Sequence, residues 1–344
     1  MRNMMRILWL ILCLLPLPAW GQEAPPVAEN QPSADPSNTP TPDAMKKINA
    51  DLMFDASLAE ELKVDLGNFV GDVFKVVDTK RSAYDKPLDI PMSDRQLKQV
   101  QLENEGHPFT VPAFINTAKE GNVKLLTRYM DAGMDPNTTT PTGQTALIFA
   151  VLGNQIDSLQ ALIAYGADVN KATLRGETPL MFAADQNSLV LMAFLINAGA
   201  NVNQTNQSGW TAIHYAAAQG NLEALALLHA KGANINAETR LHDTALLTAI
   251  RDNRLRMFKF LLRLGANPTL RDASGNDAFF NTILNNRYEM AEIFLKHGVN
   301  PNTPNDQGWK PMDLALQNGF MDIANLLYAY GAETPGLQRP VQGN

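Results

Sequence analysis

The sequence predicts an all-α solenoid of about seven stacked helix-turn-helix units, each 33 residues long and each ending in a finger loop. Three observations predict it. Glycine recurs every 33 residues at Gly133, Gly166, Gly199, Gly232, Gly265, Gly298 and Gly331, with no insertion or deletion. A fixed period of that size marks an array in which each unit buries its apolar face only against its neighbours. A small residue (Thr117, Ala150, Ala183, Ala216, Ala249, Thr282, Ala315) and a large apolar one (Tyr129, Leu162, Leu195, Leu228, Leu261, Phe294, Leu327) follow the same period. A helix packed closely between two neighbours has room only for the small residue, and the large one gives a second helix its apolar stripe. Between these two columns stands Gly121, Asn154, Asn187, Gly220, Asn253, Asn286 or Gly319. Only Gly and Asn occur there, the residues that best tolerate a left-handed backbone at a helix end.

Residues 1–21 read as a secretory signal peptide. Arg2 and Arg6 supply the positive start, Ile7 to Leu17 the apolar run, and Ala19-Trp20-Gly21 the small residues near a cleavage site. The mature chain then begins at Gln22. An uncleaved anchor is the competing reading, but the run is shorter than the roughly 20 apolar residues a spanning helix needs. Leu12, where a small residue is wanted before Cys13, argues against a lipoprotein. Cys13 is the only cysteine, so the mature chain has neither disulfides nor thiol chemistry, which suits an oxidising compartment.

Residues 22–44 are rich in Pro, Ser, Asn, Thr and Ala and read as a disordered or extended linker. Residues 45–109 form a helical N-terminal region expected to pack on the array and cap it. Leu62, Leu66, Phe69, Val70, Val73, Phe74 and Val77 follow helical spacing, weakened by Gly67 and Gly71. Lys86 to Pro91 is extended. Ser93-Asp94-Arg95-Gln96 resembles a capping box opening a second helix that ends near Gly106.

The repeat domain occupies 110–340, with units starting near 110, 143, 176, 209, 242, 275 and 308. Within each unit, Thr or Ser at the start of the first helix can cap free amides. The left-handed Gly or Asn ends that helix. Apolar residues three before the large one (Leu126, Leu159, Met192, Leu225, Phe258) give the second helix its stripe. The end units, Pro112-Ala113-Phe114-Ile115 and Lys310-Pro311-Met312-Asp313, depart from the pattern, as terminal repeats should. The sixth unit, with Phe279-Phe280 and Asn281-Thr282 in its first helix, is expected to be the least regular internal one.

A second series, Gly143, Gly176, Gly209, His242, Gly275 and Gly308, is followed two residues later by Thr145, Thr178, Thr211, Thr244, Asp277 and Lys310. The segments read Thr-Ala-Leu-Ile, Thr-Pro-Leu-Met, Thr-Ala-Ile-His and Thr-Ala-Leu-Leu. Over about residues 110 to 335 this resembles the ankyrin signature Thr-Pro-Leu-His-x-Ala. The resemblance implies a protein-binding array whose variable finger tips and first helices, on a concave face, contact the partner. It also implies that His214 serves turn hydrogen bonding.

No catalytic constellation accompanies the repeats, so no enzyme activity, cofactor or metal is expected. His107, His214, His229, His242 and His297 show no zinc-like spacing, and no nucleophile elbow or phosphate loop occurs. Asp168, Asn170, Asn201, Asn203, Asn234 and Asn236 recur by repeat, which favours turn formation over calcium binding. The chain has 28 basic and 35 acidic residues; without Arg2 and Arg6 it has 26 and 35, a net charge of −9. That balance disfavours nucleic acid. Residues 242–274 run against it with Arg251, Arg254, Arg256, Lys259, Arg263 and Arg271. A solvated helix face is the plain explanation and a docking patch the sharper one.

Trp210 and Trp309 share one slot after the finger glycine, three repeats apart, where the repeat demands no aromatic. Rings lying flat on neighbouring fingers would be structural; exposed rings would be interface anchors. The candidate partner-binding residues are Leu174, Arg175, Glu177, Gln207, Trp210, Arg240, Leu241, Arg251, Asn276 and Trp309. The sequence therefore reads as an exported, non-enzymatic, monomeric scaffold or adaptor of the bacterial cell envelope, periplasmic or secreted. It would bind a protein partner through its concave surface, with no nucleic acid and no stable membrane insertion after cleavage. The alternatives are an effector secreted by a host-associated bacterium, and a periplasmic inhibitor or protector of an enzyme.

Overall fold

The structure is a computed structural model that describes residues 92–334. The leader, the linker and the apolar stretch 62–77 lie outside the described residues. Helix α1 (Met92–Asn104) precedes seven helix pairs: α2 (Val111–Glu120) and α3 (Val123–Asp131), α4 (Ala146–Leu152) and α5 (Ile156–Ala164), α6 (Pro179–Asp185) and α7 (Leu189–Asn197), α8 (Ala212–Gln219) and α9 (Leu222–Ala230), α10 (Ala245–Arg251) and α11 (Leu255–Arg263), α12 (Ala278–Leu284) and α13 (Tyr288–Lys296), α14 (Pro311–Gln317) and α15 (Met321–Ala329). No strand forms among the described residues; Thr139 and Thr145 form an isolated bridge.

The first helices are short because both ends are specified locally. Thr145, Thr178 and Thr244 accept the amides of Ile148, Met181 and Leu247, each capping free donors of the first turn. At the other end the chain turns left-handed, with φ of 54° at Asn154, 59° at Asn187, 56° at Asn253 and 55° at Asn286, and Gly121, Gly220 and Gly319 doing the same. The small and large columns are buried throughout, from Thr117 and Tyr129 to Ala315 and Leu327. First helices pack on first helices along the whole row, and second helices on second helices at most steps.

Arginines reinforce two of these steps. Arg254, before α11, donates to Ala217 O and Ala218 O at 2.8 Å, carbonyls at the end of α8. Arg287, before α13, does the same for Ile250 O at 2.9 Å and for Arg251 O. At α4 the contact is closer still: a Cβ on Gly153 would lie 2.1 Å from Lys119 O.

An asparagine ladder runs beside the turns. Asn137, Asn170, Asn203 and Asn236 each accept the amide 31 residues on (Asp168, Asn201, Asn234, Asn267), at 2.7–2.8 Å. Each also donates to the glycine carbonyl 29 residues on. Asn302 repeats the pattern with Glu333 and Gly331. Thr269 stands where the next asparagine would be, and its hydroxyl turns back to Asn267.

The sixth repeat is not irregular in its helices. Asp277 replaces the capping threonine and accepts from Phe280 N at 2.8 Å. The irregularity lies instead in its finger, where Asn281 Nδ2 donates to Asp272 Oδ2 at 2.9 Å.

Helix α1 begins at Met92, one residue before the expected cap, and Gly106 follows it at φ 86°. It packs on α3. Arg128 forks onto both carboxylate oxygens of Glu105 at 2.7 and 2.9 Å, Lys98 pairs with Asp131, and Gln99 donates to Ala132 O. The described end of the N-terminal region therefore lies against the second helix of the first pair.

Candidate protein-interaction surface

Each finger is a tight hairpin closed by two backbone bonds, as in Thr173 N to Glu177 O with Gly176 N to Thr173 O, and Asn206 N to Trp210 O with Gly209 N to Asn206 O, at 2.8–2.9 Å. Neighbouring fingers join through Leu174 N to Thr142 O (3.1 Å), Gln207 N to Arg175 O (2.9 Å) and Arg240 N to Ser208 O (3.0 Å). Glycine permits the approach: a Cβ on Gly209 would lie 2.8 Å from Arg240 N. His242 adopts φ 54° in a glycine slot, and the bond beside it, Ala273 N to Leu241 O, lengthens to 3.3 Å. At the next step Asp306 N bonds to Gly275 O, one residue out of register.

The candidate residues separate on this frame. Leu174 and Leu241 are 67% and 72% exposed, and Arg175, Arg240 and Gln207 are exposed beside them. Gln207 Nε2 reaches back to Leu174 O at 2.7 Å and ties the two fingers. Glu177 is half-buried and receives Thr173 Oγ1 at 3.2 Å. Trp210 is half-buried. Its ring meets Tyr215 of α8 edge-on at 5.2 Å and His214 at a tilt at 5.9 Å. Trp309 is 43% exposed. Arg251 is exposed but held by Asp243. Asn276 is a correction. It is only 5% exposed, with its side chain engaged by Asn305 Nδ2 at 2.8 Å and by Asp272. A finger position that is half-buried in the preceding repeats and exposed at Trp309 is buried here, where Asp272 and Asn305 hold the side chain.

The family model for ankyrin repeats (3 copies) matches residues 114–206, 189–272 and 246–335. The chain belongs to the ankyrin repeat family. Among solved structures it is similar to the ankyrin repeat domain of human ASB11, at 25% identity and TM-score 0.54, over 64% of this chain and 98% of that one. It is also similar in fold to the ankyrin repeat domain of Bcl-3, an IκB-family protein, at 22% identity and TM-score 0.57, over 62% of this chain and 97% of that one. No curated protein matches. Ankyrin repeats generally mediate protein–protein interaction, and the fold is typically a non-enzymatic interaction domain. Among the described residues no helix is long and apolar enough to cross a membrane.

The ankyrin geometry shows a column that sequence reasoning missed. Phe149, Phe182 and Tyr215 stand 33 apart, four residues after the capping threonine, each half-buried against the core. Contacts place Tyr215 in the crook between finger and first helix: Asn206 Nδ2 donates to its hydroxyl at 3.1 Å, and Glu177 Oε1 of the preceding finger lies 3.5 Å away. The column turns polar at Thr248 and Asn281, both buried. Its signal was available as three aromatics at one repeat position, but the helical apolar pattern absorbed them as core. Burial, and next the Glu177 carboxylate, hold the Tyr215 phenol well above its ordinary range, so it stays a neutral donor.

Two further groups are tuned by burial. His214 is pushed below its usual value; its Nδ1 lies 3.1 Å from Thr211 N and its Nε2 3.3 Å from Asp243 O, the turn role the ankyrin resemblance implies. Asp277 is pushed up by burial against the pull of the Phe280 amide. The basic run of 242–274 loses much of its claim as a patch. Arg251 pairs with Asp243, Arg254 caps α8, and Arg271 pairs with Asp306. Among the described residues no group of three or more His, Cys, Asp or Glu could hold a metal ion.

Proposed function

We propose that this protein is an exported, non-enzymatic scaffold or adaptor of the bacterial cell envelope, binding a partner protein across its finger face. The observation that carries the binding surface is the pairing of exposed apolar and cationic residues at two finger tips. Leu174 with Arg175, and Arg240 with Leu241, flank the half-buried Trp210 of the finger between them. Exposed leucines of this size on a finger contribute nothing to the array core, whereas Trp and Arg are the residues that most often anchor an interface. The export part rests on residues 1–21, with their two arginines, apolar run and small residues before Gln22. The periplasm or the exterior is then the compartment, and the protein acts there as a monomer without nucleic acid.

The test is in-cell crosslinking from a photoreactive residue placed at Trp210, alongside compartment fractionation. The expected result is capture of one abundant envelope protein, with the processed chain outside the cytoplasm. Cytoplasmic, unprocessed protein would refute export. Absence of capture at 210, with capture from a site on the second helices such as Lys259, would move the partner to the other side of the array.

A further inference from the structure

We infer that the stretch from Arg175 to Arg240 receives an extended acidic segment of the partner, in a polyproline-II-like conformation, with an apolar side chain seated against Trp210. This rests on the reading of the finger face as the partner surface and specifies what that surface takes.

The charge argument comes from which groups are engaged. Among the described residues the guanidinium groups of Arg175 and Arg240 make no hydrogen bond or ion pair, although both are exposed. The other arginines near this face are held: Arg251 by Asp243, Arg254 by the α8 carbonyls and Arg271 by Asp306. The carboxylates of the same stretch are engaged as well. Glu177 receives Thr173, Asp185 receives Gln219 Nε2 at 2.6 Å, and Glu238 meets His242 Nδ1 at 2.7 Å. What remains open is positive charge at two points, in a chain whose mature net charge is −9. Long-range attraction therefore does not bring an acidic partner in; complementarity at these two points selects it.

The geometry sets the conformation. Leu174 and Arg240 occupy the same finger slot two repeats apart, and Arg175 and Leu241 the next slot, with Trp210 on the finger between. Packed helices lie about 8–10 Å apart, so one repeat advances by about that distance. A polyproline-II segment advances about 9.3 Å per turn of three residues and brings every third side chain to one face. One turn per repeat matches the array. Two carboxylates about six residues apart then reach Arg175 and Arg240, and a residue midway faces Trp210. A β-strand segment would turn the midway residue to the opposite face. The apolar surroundings fit that residue, because Trp210 is backed by Tyr215 and flanked by the exposed Leu174 and Leu241.

The experiment uses the mature full chain carrying Trp309→Phe, which leaves Trp210 as its only tryptophan once residues 1–21 are removed. Three labelled proline-rich peptides are titrated: one with two glutamates about six residues apart and a leucine midway, one with lysines replacing the glutamates, and one with the glutamates about four residues apart. The first is expected to bind and shift Trp210 emission to the blue. The lysine and closer-spaced peptides should bind at least about tenfold more weakly, as should the first peptide to an Arg175→Glu, Arg240→Glu variant, a loss of about 1.4 kcal/mol or more. Both changes are at exposed tips, so an unchanged unfolding midpoint serves as the folding control. Equal binding of the lysine peptide, or undiminished binding to the double variant, overturns the inference. Failure of every peptide while crosslinking at 210 still captures an intact protein overturns this inference and leaves the broader reading standing. Absence of crosslinking at 210 removes the broader reading itself.

Discussion

Gly209→Ala tests whether finger contacts, beyond backbone strain, hold the interaction surface together. Gly209 has φ 79°, and an added Cβ would meet Arg240 N at 2.8 Å and Thr239 C and Cα at 3.0 Å. All three are backbone atoms, so the next finger must shift. The left-handed conformation costs an alanine about 1 kcal/mol. The shift endangers the Arg240 N to Ser208 O bond of 3.0 Å, worth about 1 kcal/mol net. Stiffening of the unfolded chain returns about 0.5 kcal/mol. The expected loss is about 1.5 kcal/mol. Gly199→Ala is the internal control, since Gly199 has φ 95° and nothing within 4 Å of its added Cβ. It should lose only about 0.5 kcal/mol, the strain less the unfolded-state gain. Urea unfolding of the two variants, compared at constant m-value, reads the difference. Equal losses would refute the argument that the fingers bear on one another through Gly209.

Other outcomes follow from the same structure. Leu195→Asp places a charge in the fully buried centre of α7 and should split unfolding into two transitions by uncoupling the halves of the array; one sharp transition at an unchanged midpoint would contradict this. Arg254→Ala removes the arginine donor from Ala218 O and from Ala217 O, which keeps only the Gly220 amide, and should cost about 1.5–3 kcal/mol in urea unfolding, with Arg254→Lys failing to restore it because a lysine lacks the planar fork. His214 has its folded value lowered by burial, so the unfolded state binds the proton more readily. Stability should be full above about pH 6.5 and fall as the pH drops below it, and a His214→Asn variant should show a flatter profile between pH 7.5 and 5 in the same unfolding assay.

The fold was legible because its determinants are local and repeat. Gly133 and its successors, the Asn154 column and the Ala150 column each report a backbone conformation or a packing distance that few residues satisfy. The surface was less legible, because exposure depends on what the neighbouring finger does. Leu174, Arg175, Arg240 and Leu241 lie at tips, and position alone placed them outward correctly. Asn276 shares a slot with Trp210 and Trp309, yet Asp272 and Asn305 hold its side chain inward, a consequence of the residues at two other positions. Arg251 and Arg254 read as one charge run, while the fold sends one to Asp243 and the other to the end of α8. The aromatic column Phe149, Phe182 and Tyr215 was hidden by its own regularity, since a helical apolar residue looks like core until the finger opposite it is known. The ladder break at Thr269 was likewise invisible until Asn236 and Asn302 were seen bridging adjacent repeats.

The most direct test of the central claim is the affinity of the protein captured at Trp210 for the wild-type chain and for a Trp210→Ala, Arg240→Ala double variant, with folding checked by the urea midpoint. Loss of an aromatic and an arginine anchor at the centre of an interface should weaken binding by about a hundredfold or more. Binding that survives the double change undiminished would show that the face between Leu174 and Leu241 is not where the partner sits.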